Sequence, residues 1–152
     1  MNLRKTLVTG LAFTAILLGG CAKSVDYDTF HAAAVKASET THEFTKASVK
    51  YVDKTDSSNV EKTATLKYGA DLSIITLNVW YADEGDSGVG SAAATLANSK
   101  VSAVGNKEGY EYYTVGKGFK YVAGDSTYEY EEHGLLTKAY NATKTYTITY
   151  SK

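Results

Sequence analysis

Apolar and polar residues alternate along most of this chain, a pattern typical of β-strands that bury one face. Residues 45–51 and 60–68 carry apolar side chains at alternating positions, and the DKTDSSN stretch between them has the composition of a turn. A third segment at 72–82, LSIITLNVWYA, is more continuously apolar, and one of its faces carries Ile75, Leu77, Val79 and Tyr81. We expect these three segments to form an antiparallel meander.

The last third of the chain divides at turn residues into five short strands. The predicted strands are 110–115, 119–123, 127–132, 135–140 and 145–150. Nine of the 13 tyrosines lie in this region, where they alternate with threonine, lysine and glutamate. Tyrosine and threonine favour the half-buried surface of a pleated sheet, so the composition agrees with a second meander.

Two segments have helical rather than strand spacing. At 27–37, Tyr27, Phe30, Ala34 and Ala37 form an apolar stripe, with Asp26 or Asp28 as the expected N-cap. Residues 91–99 are rich in alanine, with Ser91 as the expected cap. We therefore predict a single α+β domain over 27–152. One curved antiparallel sheet of about seven or eight strands packs against an N-terminal amphipathic helix and a short central helix.

The first 20 residues have the layout of a secretory signal peptide. Arg4 and Lys5 provide the positive charge, and 12 uncharged, largely apolar residues follow at 7–18. This run is too short to span a bilayer, which requires about 20 apolar residues. We expect residues 1–20 to be removed by cleavage.

The four residues Leu18-Gly19-Gly20-Cys21 resemble the lipobox of bacterial lipoproteins, in which an aliphatic and two small residues precede a cysteine. The resemblance implies a diacylglyceryl group on Cys21 and cleavage between Gly20 and Cys21. Two acyl chains anchor a protein stably, whereas one chain binds only marginally. We expect residues 21–26 to be the lipidated cysteine and a linker, with the domain anchored to the extracytoplasmic face of the cell membrane. A free reactive thiol or a metal ligand is the alternative role for Cys21.

Charge and cysteine content exclude several classes of protein. The net charge is −1, and beyond residue 20 the chain has 14 basic against 17 acidic residues, which gives −3. A mildly acidic, mixed surface provides no electrostatic reason to expect nucleic acid as a partner. A single cysteine cannot form an internal disulfide. No motif requires a cofactor.

Two stretches resemble parts of hydrolase motifs. GDSG at 85–88 is similar to the nucleophile loop of chymotrypsin-like proteases, but no histidine lies in the required context. GDS at 124–126 is similar to the start of the GDSL motif, whose Asp-x-x-His pair would require aspartate where Tyr130 precedes His133. A catalytic triad needs all of its partners, so we expect no catalytic residues.

Metal binding has equally little support in the sequence. His42-Glu43 begins like a His-Glu-x-x-His zinc helix, but Lys46 occupies the position of the second histidine. The three histidines have no shared spacing. We therefore expect no metal site.

The tyrosines leave two functions open. They either pack within the sheet or line a groove for a carbohydrate, peptide or lipid. The leading hypothesis is a non-catalytic binding or structural module at the cell surface. The alternative is a carrier of a lipid or another hydrophobic ligand, held between helix and sheet in a cavity lined by Phe30, Ile75, Leu77 and Tyr112. A hydrolase is third.

The predicted arrangement of helix, meander, short helix and meander is similar to the LolA/LppX-like half-barrels, which carry lipids or lipoproteins. The stretches YDTFHAAAVKA, FTKASVKYVDK and YEYEEHGLLTKAY also resemble parts of small uncharacterised lipoproteins from Firmicutes. The first resemblance implies a hydrophobic ligand, on architecture alone. The second implies no activity.

Overall fold

The computed structural model describes residues 21–69 and 78–152, which form nine strands, two α-helices and one 3-10 turn. Their bounds, in chain order, are β1 Ala22–Val25, α1 Tyr27–Ser38, β2 Lys46–Asp53, β3 Glu61–Gly69, β4 Val79–Gly85, α2 Val89–Asn98, the 3-10 turn Val101–Ala103, β5 Glu111–Val115, β6 Gly118–Ala123, β7 Ser126–Tyr130, β8 Leu136–Tyr140 and β9 Lys144–Ser151. The predicted fold class is confirmed: the protein is α+β, with one curved antiparallel sheet.

The strands form one sheet in the order β1-β5-β6-β7-β8-β9-β2-β3-β4, and every neighbouring pair is antiparallel. The N-terminal meander β2-β3-β4 and the C-terminal meander β5 to β9 meet where β9 pairs with β2. That ladder runs from the pair Lys46–Ser151 to the pair Asp53–Lys144. The sheet is therefore continuous although its two halves are separated by α2 in the sequence.

The two faces of the sheet differ as the alternating pattern predicts. The inner face, on which the helices lie, carries Ala47 and Val49 of β2 and Ile148 of β9, all of which are buried. The outer face carries the exposed side chains of Lys46 and Lys50. Because neighbouring residues of a strand point to opposite faces, a single register fixes both surfaces.

Helix α1 packs on the part of the inner face formed by β5 and β6. It begins after Asp26, whose carboxylate accepts a hydrogen bond of 2.8 Å from the backbone N–H of Thr29. The predicted cap at Asp26 is thus confirmed. The ring of Phe30 lies 5.1 Å from that of Tyr112 and 5.8 Å from that of Phe119. Burial of these rings holds the helix on the sheet.

Helix α2 packs along the edge strand β4. It begins after Gly88, which has a φ of 81°, so the predicted cap at Ser91 is wrong: Ser91 lies inside the first turn. Its buried face is made largely of alanines, which permit a close approach to the sheet. At its last residue, the Asn98 side chain accepts a hydrogen bond from the backbone N–H of Trp80 and donates one to its carbonyl, both at 2.8 Å. These bonds occupy backbone groups at the sheet edge.

The predicted linker at 21–26 contains a strand. Residues Ala22–Val25 form β1, which pairs with β5 from Val115 to Tyr112. The sequence AKSV is mostly exposed and has no apolar alternation, so its pairing rests on backbone hydrogen bonds rather than on a buried face. This strand brings the sheet to nine, above the predicted seven or eight.

The predicted strand at 72–82 lies only partly within the described residues. Strand β4 begins at Val79, and residues 70–77, including Ile75 and Leu77, lie outside them. Within β4, the buried Trp80 lies on the inner face, whereas Tyr81 pairs with Lys67 on the outer face. No helix in the described parts of the chain is long and apolar enough to cross a membrane.

Gly85 permits a close approach of β4 to β3. A Cβ atom at this position would lie 2.4 Å from the Cα of Ala64, and the φ of Gly85 is 135°.

We predict that Gly85→Ala lowers the free energy of unfolding by about 2 kcal/mol more than Gly109→Ala does. Gly109 also has a positive φ, of 86°, but a methyl group added there would have no neighbouring atom within 4 Å. Urea denaturation of both variants tests this, and equal losses would show that the close approach does not matter.

Candidate functional site

Cys21 is the only predicted lipidation residue, and the structure places it at the start of the described chain. It is exposed, and strand β1 starts at the next residue. The cleavage site at Gly20 lies outside the described residues. An acyl group on the Cys21 sulfur would therefore be attached directly beside the edge of the sheet, with almost no intervening chain.

Two of the four candidate ligand-lining residues lie in the packed core. Phe30 has no accessible surface, so its ring borders neither solvent nor a cavity that could hold a water molecule. Tyr112 is 6% exposed, and its hydroxyl donates to the carbonyl of Gly105 and accepts from the backbone N–H of Lys107. The structure brings Phe30 and Tyr112 together, but as core neighbours. Ile75 and Leu77 lie outside the described residues.

A row of half-buried tyrosines crosses the inner face next to this core. The strand register aligns Tyr112 with Tyr121, then Tyr128, Ala139, Tyr146 and Tyr51 on successive strands. Tyr112 is buried, whereas the rings of Tyr121, Tyr128, Tyr146 and Tyr51 are half-buried. A fifth, Tyr110, stacks beside Tyr121 at a centroid distance of 5.8 Å. We call the five residues Tyr51, Tyr110, Tyr121, Tyr128 and Tyr146 the tyrosine row.

The tyrosine row consists of two groups of rings. Tyr121 and Tyr128 stack at 4.8 Å with an interplanar angle of 15°, and Tyr51 and Tyr146 pack at 4.7 Å. Ala139 separates the groups, since it pairs with Tyr128 on one side and Tyr146 on the other. The backbones of β7 and β9 are two strand spacings apart, about 9.5 Å. The small side chain of Ala139, which is 7% exposed, therefore separates two pairs of aromatic rings.

The position of the helices decides which aromatic rings stay accessible. Phe119 and Tyr130, which form the next cross-strand pair towards the helices, are 5% and 2% exposed. The tyrosine row lies one step further out and stays half-buried. Burial raises the pKa values of Tyr121 and Tyr146 above their usual level. Their hydroxyls are therefore protonated near neutral pH and can both donate and accept hydrogen bonds.

The outer face confirms that the tyrosines of β5 divide between the two sides of the sheet. Tyr113 points away from the helices, and the ammonium of Lys120 lies 4.5 Å from its ring centroid. Its hydroxyl donates to the carboxylate of Glu111 at 2.6 Å. This ring therefore has polar partners on its own strand and on the next.

A second aromatic cluster surrounds His42. We call it the histidine cluster, and it consists of His42, Phe44, Tyr68, Trp80, His133 and Tyr150. The imidazole of His42 lies 4.7 Å from the Tyr68 ring and 6.3 Å from the ring of His133. Burial is the main cause that lowers the His42 pKa, and the positive charges of His133 and Lys100 lower it further. The cluster thus favours a neutral imidazole.

The segments weighed as possible hydrolase motifs around residues 124–133 form turns. The carboxylate of Glu131 accepts hydrogen bonds from the backbone N–H groups of His133 and Leu135 and contacts Nδ1 of His133 at 2.6 Å, which closes the turn after β7. Gly124, with a φ of 65°, begins the hairpin turn between β6 and β7. Within 21–69 and 78–152, no three histidine, cysteine or acidic side chains are grouped as a metal site.

Comparison with known proteins identifies no relative: no protein-family model, curated protein or solved structure matches the chain. The resemblances found in the sequence therefore remain predictions. Function has to be inferred from Cys21 and from the surfaces that the sheet presents.

The half-buried His42 predicts a pH-dependent stability. Because the folded state lowers the His42 pKa, the unfolded chain takes up the proton at a higher pH than the folded chain. Stability should therefore be full at pH 7.5 and fall as the pH drops through about 6.5, the usual histidine value. We predict a smaller fall for His42→Phe than for the wild type, measured as the urea midpoint between pH 7.5 and 5.5. His31→Phe, on helix α1, is the control, and an unchanged pH profile in His42→Phe would contradict the assignment.

Proposed function

We propose that this protein is a bacterial surface lipoprotein whose domain is a non-catalytic binding module. A diacylglyceryl group on Cys21 holds the domain on the extracytoplasmic face of the cell membrane, and the tyrosine row contacts the ligand. The grouping of five half-buried tyrosine rings on one face of the sheet, where they stack or pack against one another, is the observation that carries the binding proposal.

The anchor is supported by the order of features at the N-terminus. A charged segment, an apolar run, two glycines and Cys21 follow one another as in a lipoprotein signal. The exposed position of Cys21 is compatible with acyl chains that leave the domain at the edge of the sheet. Since β1 starts at Ala22, the anchored domain would lie close to the lipid headgroups rather than on a flexible stalk.

The strand register places the tyrosine row away from the anchor. Ala22 pairs with Val115, whereas Val25 pairs with Tyr112, three residues along β5 and about 10 Å further from Cys21. The row starts at this level and continues across β6 to β9 and β2. A ligand outside the membrane could therefore reach it while the acyl chains remain in the bilayer.

The chemistry of the row favours an uncharged ligand that contains a ring, and the class that fits best is a carbohydrate. Tyrosine rings offer flat apolar area for the C–H faces of a sugar, and their protonated hydroxyls can hydrogen-bond its polar groups. Rings of this kind lie on both sides of Ala139, at Tyr128 and Tyr146. A carrier of hydrophobic ligands is a weaker interpretation, because Phe30 borders no cavity.

Binding to a neutral oligosaccharide tests this proposal. We predict that the purified full-length protein binds linear N-acetylglucosamine oligomers and that Tyr146→Ala weakens the affinity about tenfold, the effect of losing one stacked ring. Isothermal titration calorimetry measures the affinity, and Tyr51→Ala provides a second variant of the same ring pair. Tyr113→Ala, on the outer face, should bind like the wild type. No binding by the wild type, or equal losses in Tyr113→Ala, would overturn the proposal.

A further inference from the structure

The outer face carries a groove that the tyrosine row does not explain. It lies over β2, β3 and β4 and has a volume of about 700 Å³. Its polar side chains are those of three lysines, four hydroxyl residues and two acids: Lys46, Lys50, Lys67, Ser48, Thr63, Thr65, Ser151, Asp83 and Glu84. The groove is on the opposite face of the sheet from the helices.

A local irregularity of the sheet shapes this groove. The register between β3 and β4 shifts at Thr65/Leu66, which places the extra residue Asp83 on β4. Such a bulge bends its strand and increases the local twist. Gly85 then brings the end of β4 against the backbone of Ala64. The residues of β4 at this irregularity, Asp83, Glu84 and Gly85, border the groove.

Two of the three lysines of the groove have no acidic partner within the described part of the sheet. Lys46 and Lys67 lie directly opposite each other in the β2–β3 register, an arrangement that destabilises a strand pair. Lys67 has an acidic partner, Asp83, at 3.5 Å, but Lys46 and Lys50 form no ion pair among the described residues. The opposed lysines carry a local electrostatic cost, and such costs are expected at functional sites.

Other lysines of the outer face have local partners. The ammonium of Lys120 lies over the ring of Tyr113 at 4.5 Å, and that of Lys138 lies over Tyr140 at 4.8 Å. Glu129 pairs in register with both lysines. Within the described strands, the unbalanced positive charge of this face is therefore concentrated at Lys46 and Lys50.

We propose that the groove binds a linear polymer of phosphate groups outside the cell membrane. The two ammonium groups start from Cα positions about 13 Å apart along β2, a span that exceeds a single phosphate. Between them, Ser48 offers a hydroxyl donor. Lysine binds phosphate as a point charge, whereas planar carboxylates favour arginine, which is absent after residue 20. The groove would bind this polymer whether or not the tyrosine row binds a sugar.

The acids of the groove limit where the polymer can lie. The Asp83 carboxylate is occupied by Lys67 and by the hydroxyl of Thr65, whose oxygen lies 3.4 Å away. Glu84 is on the same strand and repels an anion. The polymer should therefore run along β2, on the side of the groove away from β4.

Binding of long-chain inorganic polyphosphate to the purified full-length protein tests the inference. We expect Lys46→Gln/Lys50→Gln to weaken binding about tenfold at low salt and to reduce the slope of log K against log salt by about 2, one unit for each lysine. Lys120→Gln/Lys138→Gln removes the same charge from the same face and should change the affinity less than about twofold. Fluorescence titration at several salt concentrations measures both quantities, and circular dichroism shows that the variants are folded.

Three results would overturn the inference. The first is an equal loss in the two double variants, which would indicate a non-specific effect of charge. The second is inorganic phosphate binding as tightly as the polymer. The third is single-stranded DNA of equal charge binding as tightly as polyphosphate, which would show that the groove does not distinguish a chain of phosphates from other polyanions. Loss of sugar binding in Tyr146→Ala would leave this inference intact, because the two surfaces are on opposite faces.

Discussion

The pairing of β9 with β2 is the constraint on which the rest of the structure depends. Eight consecutive residue pairs join the end of the chain to the first long strand, and they convert two separate meanders into one sheet. In this ladder Ile148 lies opposite Val49, and both are buried. The apolar inner face and the hydrogen-bonded backbone therefore enforce the same register, since a shift of one residue would turn the lysines of β2 into the core.

Strand β2 contributes to both proposed surfaces. Its inner side carries Tyr51, which packs against Tyr146 across the ladder. Its outer side carries Lys46 and Lys50, which face away from the helices. The alternation of a single strand thus separates an aromatic residue on one face from two lysines on the other. A ligand on one face would not compete directly with a ligand on the other.

The sequence predicts the strands and helices that have strong periodicity. Eight strands, the helix at Tyr27–Ser38 and the fold class follow from alternation, helical spacing and turn residues. Strand β1 has no such signal because AKSV has no buried face. Helix α2 begins after Gly88, which has no side chain to cap it. Local pattern also gives no information on which distant strands pair, so the contact of β9 with β2 is not predictable from it.

The candidate surfaces, too, could be predicted from the sequence only in part. Alternation indicates that tyrosines such as Tyr112 and Tyr113 lie on opposite faces, and the structure agrees. Which inner rings are buried depends on where α1 and α2 pack, and for this reason Tyr112, a predicted ligand-lining residue, lies in the core. The groove requires both the β2–β3 register and the bulge at Thr65/Leu66, neither of which has a signal in the sequence.

The short distance between Cys21 and β1 would hold the lipidated domain directly at a membrane, because β1 begins one residue after the cysteine. Mass spectrometry of the protein extracted from its native membrane tests that claim most directly. It should show a chain that starts at Cys21 and carries a diacylglyceryl group on the sulfur. Ala22→Ser should be processed in the same way, whereas Cys21→Ser should keep residues 1–20. An unmodified thiol, or a chain that starts at another residue, would contradict the proposed anchor.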